Sequence, residues 1–278
     1  MKKIGILYHP LNKAAYSLAE EIEEFLTSRG VSAWLCSAWE GEKARARVNG
    51  TEMILSIGGD GTILRATQVA APNQIPVTGI NLGKLGFMTE LSADEALKKL
   101  PSLIAGEGWL DERAMLEAEL TSTEPPARFF ALNDVVVARG AVARVINIDA
   151  SIDGKLLTTY RADGVILATA TGSTGYSLAA GGPILHPQAE EFILLPILPH
   201  LSLAYSLVLP STAVVKLRLS DIHQGTLSID GNINLPLENG VSITVKHSEK
   251  KARFLRIHPR KSFYSTLEQR LKGKKQIV

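Results

Sequence analysis

The chain has 278 residues, and its 30 basic and 28 acidic side chains leave a formal charge of +2. Apolar residues at 45% and charged residues at 21% exclude a disordered chain, and the near-neutral balance speaks against nucleic acid as a partner. Cys36 is the only cysteine, which excludes disulfide frameworks and cysteine-rich zinc sites and points to a cytoplasmic protein. The length predicts about two domains. Lys2 and Lys3 precede only a short apolar stretch that Pro10 and Asn12 end, so no export signal is expected. Phe192–Pro210 is the most apolar region, but Pro196, Pro199 and His200 interrupt it, so it reads as buried core and not as a membrane span.

In chain order, Lys3–Tyr8 is predicted as a strand, and Ala14–Ser28 as a helix with Leu18, Ile22, Phe25 and Leu26 on one face. Gly30 ends that helix. Val31–Cys36 and the very apolar Met53–Ile57 are two further strands. Ile63–Ala71 reads as a helix, Pro76–Ile80 as a buried strand and Ala93–Leu100 as an amphipathic helix. Alternation of this kind predicts a parallel sheet covered on both faces. Near Gly106–Leu110 the pattern changes. Met115–Leu120, Phe129–Ala138, Val145–Ile152, Lys155–Tyr160, Gly164–Ala170, Val214–Leu219, Thr226–Ile229 and Val241–His247 are predicted strands, and Asp153-Gly154 is a hairpin turn. The expected fold is therefore an α/β N-terminal domain with a parallel sheet, residues 1–105, followed by a β-rich, sandwich-like domain, residues 106–255. The basic tail after Lys246 reads as solvated, with a docking segment around Phe254–Tyr264.

The sharpest local feature is Gly58-Gly59-Asp60-Gly61-Thr62, between an apolar strand and a helix. Glycines let a backbone approach a ligand and aim N–H groups at it, and a helix N-terminus adds partial positive charge, a combination that suits phosphate. No glycine-lysine pair is followed by Ser or Thr, so this is no Walker loop, and Leu64 stands where a dinucleotide fingerprint needs its third glycine. A carboxylate beside phosphates serves a proton, a metal or a ribose; alternatively Asp60 only caps the helix. A second strand runs into Thr171-Gly172-Ser173-Thr174-Gly175-Tyr176-Ser177, with Gly181-Gly182-Pro183 beyond it, and offers many uncharged donors and acceptors. Asn133-Asp134 and Arg161-Ala162-Asp163 lie upstream. His9, His186, His200, His223, His247 and His258 are scattered and read as structural or solvent-facing.

Together with Asn81-Leu82-Gly83-Lys84-Leu85-Gly86-Phe87 and Asp230-Gly231, these segments stand in the order and spacing of NAD kinases, and the chain resembles that family from about residue 3 to residue 260. The Gly58–Thr62 loop alone also resembles diacylglycerol kinases and 6-phosphofructokinases; the Asn81–Phe87 segment and the Thr171–Thr174 loop together make the likeness specific. The resemblance implies an NAD kinase/diacylglycerol kinase-like fold, with the active site between the domains and the C-terminal segment, residues 256–278, returning to the first. It implies transfer of the terminal phosphate of ATP, or of another donor, to the 2′-hydroxyl of the adenosine ribose of NAD, giving NADP. By the same resemblance Asp60 is the proton acceptor and Gly61 and Arg65 face the nucleotide. Asn133 and Asp134 hold the adenosine and ribose, while Arg144, Arg161 and Asp163 line the pocket. Thr174, Gly175, Tyr176, Ser177, Leu178 and Ala179 wrap the adenine and ribose, and Asn232 stands where the family usually has glutamine. No metal-ligand residues are implied; a divalent cation, Mg²⁺, is expected to arrive on the nucleotide. A homo-oligomer is expected, with no nucleic-acid or membrane partner. Gly175 stands where many members have alanine, and Pro196-Ile197-Leu198-Pro199-His200 opens like the family's proline-isoleucine-cysteine-proline-histidine stretch but continues as Leu201–Val208 without the arginine-proline expected there. Two other readings compete: a lipid or sugar-phosphate kinase of the same superfamily, for which nothing after Thr171 asks, and a silent dinucleotide sensor. The retained Asp60 speaks against the sensor, because pure binding gains from removing a charge that phosphates repel.

Overall fold

The computed structural model of the chain describes residues 1–83, 86–121, 126–140, 144–200, 205–260, 263–265 and 267. Lys84 and Leu85 of the asparagine-leucine-glycine segment, residues 201–204 and most of the basic tail from Lys261 lie outside the described residues. Two compact units are present, Met1–Glu112 with Ala252–Val278, and Arg113–Lys251.

The first unit runs β1 (Lys3–Tyr8), α1 (Lys13–Ser28), β2 (Ser32–Ser37), α2 (Gly41–Arg47), β3 (Met53–Ile57), α3 (Asp60–Ala70), β4 (Val77–Asn81), β5 (Leu91–Ser92), α4 (Ala93–Ile104) and β6 (Trp109–Arg113). Among the described residues its sheet has seven strands in the order β2-β1-β3-β4, then Ala252–Arg256, then β6, with β5 also paired to β4. The pairs β1–β2, β1–β3 and β3–β4 are parallel, and Ala252–Arg256 is parallel to β4. One face of the sheet, with Ile4, Ile6, Met53, Leu55 and Ile57, packs on Leu18, Ile22 and Leu26 of α1 and on Leu100 and Leu103 of α4. Burying each such side chain is worth roughly 1.5–3 kcal/mol before the cost of ordering it. The Asn12 side chain starts α1 by accepting from the Ala14 and Ala15 amides at 3.0 and 3.3 Å. On the other face Ile63 of α3 sits over Gly79, where a Cβ would come within 2.4 Å of its Cδ1. The segment Trp109–Arg113, which the sequence assigned to the β-rich part, is instead a strand of this sheet. Asp60 lies in the first turn of α3, three residues before the predicted helix start.

The second unit holds two antiparallel sheets of six strands each among the described residues. One has the order Lys155–Ala162, Ile146–Ile152, Val214–Leu219, Ser242–His247, Leu116–Leu120, Ala127–Ala131; the other has Leu207–Leu209, Phe192–Ile197, Gly164–Ala168, Asp134–Arg139, Gly225–Ile229, Ile233–Leu237. Alternate residues from both, among them Leu116, Val135, Ile148, Val165, Val215 and Leu227, form one shared core. Asp153 and Gly154 take positive φ (49° and 78°), as a two-residue hairpin requires. The run Phe129–Ala138, predicted as one strand, is two strands in different sheets, with its break at Leu132-Asn133. No helix among the described residues is long and apolar enough to cross a membrane. The architecture is the expected one, a mostly parallel α/β unit and an antiparallel β-rich unit.

Candidate active site

In the first unit, β3 ends at Ile57 and Gly58 turns the chain with φ +153°; a Cβ there would lie 2.3 Å from Thr62 Oγ1. That turn delivers Asp60 to the start of α3, half-buried. Its Oδ2 accepts from the Phe87 amide at 2.9 Å and its Oδ1 from the Met88 amide at 3.2 Å. Gly86 lets the carboxylate in, since a Cβ at that position would stand 2.2 Å from Oδ1. The carboxylate is thus held by the loop after β4 and not by its own helix, and each oxygen keeps a further lone pair. Behind the loop, buried Arg256 donates to the Met88 carbonyl at 2.8 Å and pairs with Asp111 at 3.2 Å and Glu90 at 3.4 Å. Glu90 also accepts from the Ile257 and His258 amides at 2.8 and 2.7 Å. The last strand of the unit therefore clamps the segment that orients Asp60. Beside the turn, the His9 ring meets the Trp39 ring edge to face at 4.6 Å, and the Arg65 guanidinium lies 4.3 Å over the Trp39 ring. Burial lowers the pKa of Arg65 from its ordinary value.

In the second unit the break at Leu132-Asn133 is made by Asp230. Its carboxylate accepts from the Leu132, Asn133 and Asp134 amides at 2.9, 2.7 and 3.1 Å, with its own backbone left-handed at φ 51°. Buried Asp134 stands close to it. Burial first, and then the Asp230 charge, push the Asp134 carboxyl up to about 7. Gly172 passes so close to Asn133 that a Cβ would lie 2.1 Å from its carbonyl oxygen. Thr169 Oγ1 donates to the Leu132 carbonyl and accepts from the Gly172 amide at 3.1 Å. Around this junction Asn133 Oδ1, Thr171 Oγ1, Ser177 Oγ and Asn232 Nδ2 are buried with no hydrogen-bond partner. Such groups cost free energy unless a ligand or water meets them.

The chain matches the model of the ATP-NAD kinase N-terminal domain over residues 30–108 and that of the ATP-NAD kinase C-terminal domain over residues 132–257. It is 50% identical to the NAD kinase of Dehalococcoides mccartyi (strain BAV1) across 100% of this chain and 98% of that protein. To the NAD kinase of Chloroflexus aurantiacus it is 38% identical, covering 98% and 99%. This chain belongs to the NAD kinase family. Among solved structures, yeast NADH kinase complexed with NADH superposes with a TM-score of 0.83 at 26% identity, covering 100% of this chain and 89% of that one. The NAD kinase of Archaeoglobus fulgidus in complex with ATP gives 0.76 at 26% identity, covering 98% and 99%.

The residues that the NAD kinase resemblance named fall into two groups, each within one unit. Asp60, Gly61 and Arg65 share the first turns of α3. Asn133, Asp134, Thr174, Gly175, Tyr176, Ser177, Leu178, Ala179 and Asn232 belong to the second unit, Tyr176–Ala179 as one short helical turn. Arg144 and Arg161 line a cavity of about 600 Å³ with Asn147, Asp221 and His223. Asp163 is paired with Arg139 at 3.3 Å. Leu198 is 74% exposed with a left-handed backbone, φ 44°. Sequence reasoning did not single out the Phe87 and Met88 amides, Arg256, or the His9–Trp39 pair. Nor did it give Asp230 a role, although the glycine after that aspartate marks a sharp turn. Among the described residues no three His, Cys, Asp or Glu side chains converge as a metal cage.

Proposed function

We propose that the chain is an NAD kinase that transfers the terminal phosphate of ATP, or of another phosphate donor, to the 2′-hydroxyl of the adenosine ribose of NAD, forming NADP. The observation that carries this reading is the Asp60 carboxylate, held by two backbone amides at the end of a glycine turn, with lone pairs left over. A ribose hydroxyl is a poor nucleophile, and a positioned carboxylate that takes its proton contributes about 10²–10⁴-fold. The Gly59 and Gly61 backbone and the start of α3 suit the donor's phosphates. In the same proposal Gly61 and Arg65 face the nucleotide, and Asn133, Asp134, Asn232 and residues 174–179 receive the adenosine. Their unpartnered buried atoms support that role. Arg144, Arg161 and Asp163 complete the NAD contacts. A divalent cation, Mg²⁺, belongs to the nucleotide substrate and neutralises the phosphates when bound. A cytoplasmic place, consistent with the buried free thiol of Cys36, and a homo-oligomeric state belong to the same reading.

The test is to incubate the purified chain with NAD, ATP and Mg²⁺ and to read the product with an NADP-specific dehydrogenase. NADP formation is expected. Binding of NAD without product from any donor would leave a sensor, and phosphorylation of a lipid or sugar without NADP would leave a different kinase.

A further inference from the structure

In the sheet order β2-β1-β3-β4, α1 packs with α4 and α2 packs with α3. The connections after β1 and β3 therefore leave toward opposite faces of the sheet, the arrangement beside which open α/β sheets bind ligands, outside the carboxyl ends of the strands. His9 follows β1 and Gly58 follows β3, and they touch: a Cβ on Gly58 would lie 3.3 Å from His9 Cβ. The His9 amide donates to the Ile57 carbonyl at 3.0 Å, fixing the ring's base beside the phosphate turn. His9 Nδ1 accepts from the Leu11 amide at 3.2 Å, which in the neutral ring places the proton on Nε2.

Trp39 follows β2, and its amide donates to Ser37 Oγ at 3.2 Å. Its ring is wedged by the His9 edge and the Arg65 guanidinium, yet it remains 43% exposed. Trp34, by contrast, is buried on Gly5 and donates to Thr51 Oγ1 at 2.9 Å, as a core tryptophan does. A partly exposed indole backed by a cation, beside a glycine turn at a helix start, is the kind of surface on which a purine base stacks. Stacking on an aromatic face uses the plane of a guanidinium and leaves its edge for hydrogen bonds.

We infer that Trp39, set in place by His9 and Arg65, is the platform for the base of a nucleoside triphosphate that serves as phosphoryl donor. This rests on the kinase reading above and adds the donor class to it. Base-on-aromatic stacking of ordinary strength corresponds to roughly 10- to 100-fold in affinity.

The experiment is equilibrium titration of the full chain, without NAD turnover, with MgATP and with magnesium tripolyphosphate, read by calorimetry and by tryptophan fluorescence. Trp39→Leu is expected to weaken MgATP by roughly 10- to 100-fold, Trp39→Phe to recover most of that loss, and tripolyphosphate to bind all three proteins alike. NAD affinity, measured on the same samples, should not change, which also shows that the variants are folded. Unchanged MgATP affinity in Trp39→Leu, an equal loss for tripolyphosphate, or a loss that falls on NAD would each overturn the inference. Failure of the kinase reading looks different: MgATP binds with its Trp39 dependence intact, and no NADP forms.

Discussion

Replacing Asp134 with asparagine removes one of two carboxyl groups from a buried site with little change of shape. Burial and the Asp230 charge move the Asp134 carboxyl from 3.8 to about 7. The unfolded chain releases this proton near pH 3.8, so between the two values the folded protein holds a proton that the unfolded one has lost. Stability must therefore fall as the pH rises from about 4 to about 7 and stay at the lower level above it. The displacement is about 3 pH units at about 1.4 kcal/mol each, so the ionised group costs the fold about 4 kcal/mol at pH 8. Asparagine has no such proton to lose. Asp134→Asn should be more stable than its parent by about 4 kcal/mol at pH 8, and by about a third of that at pH 5. Urea unfolding of both proteins at pH 5, 6, 7 and 8, followed by circular dichroism, measures the difference. A difference that stays constant over this range would refute the argument.

Gly86→Ala puts a methyl 2.2 Å from Asp60 Oδ1, so the carboxylate must move. We expect kcat to fall about 10²-fold with NAD affinity kept, because a shift of about 1 Å at a reacting group has that effect; steady-state kinetics with calorimetry decides it. Arg256→Met leaves Glu90 and Asp111 buried without their cation. The expected loss is about 3–5 kcal/mol in urea unfolding near neutral pH, and a loss under 1 kcal/mol would show that the clamp is dispensable. Gly172→Ala drives a Cβ to 2.1 Å from the Asn133 carbonyl oxygen, backbone against backbone. NAD binding should drop at least tenfold while unfolding of the first unit is unchanged, as hydrogen exchange resolved by segment would report.

Where local sequence decides structure, the elements were legible. β1 and β3 carry compact apolar runs between clear stops, and both appear with the predicted bounds. The Asp153-Gly154 pair dictates its turn for the reason the dipeptide suggests, since both residues sit at positive φ. The misreadings arise where distant residues decide. Phe129–Ala138 looks like one strand, but the Asp230 carboxylate, some hundred residues on, captures three successive amides and sends the two halves to different sheets. The strand Ile233–Leu237 was hidden by Pro236, which it tolerates because it lies on a sheet edge. Helix α2 is short and polar, with no side-chain cap to announce it. The site divides in the same way. Glycines around Asp60 and Thr171 show in the sequence because they mark turns, whereas the amides that aim Asp60 come from residues 87 and 88. By sequence His9 reads as structural or solvent-facing; its contact with Trp39 follows from strand order, which no single segment records.

The measurement that bears most directly on the proposed chemistry compares NADP formation by the parent and by Asp60→Asn at saturating NAD and MgATP. Asparagine keeps the size but has a single acceptor oxygen, so it cannot accept from both the Phe87 and Met88 amides as the carboxylate does, and it cannot take a proton from a hydroxyl. The expected result is a kcat lower by about 10²–10⁴-fold with both ligands still bound at parental affinity. A variant turning over within threefold of the parent would remove Asp60 as the proton acceptor and contradict the account.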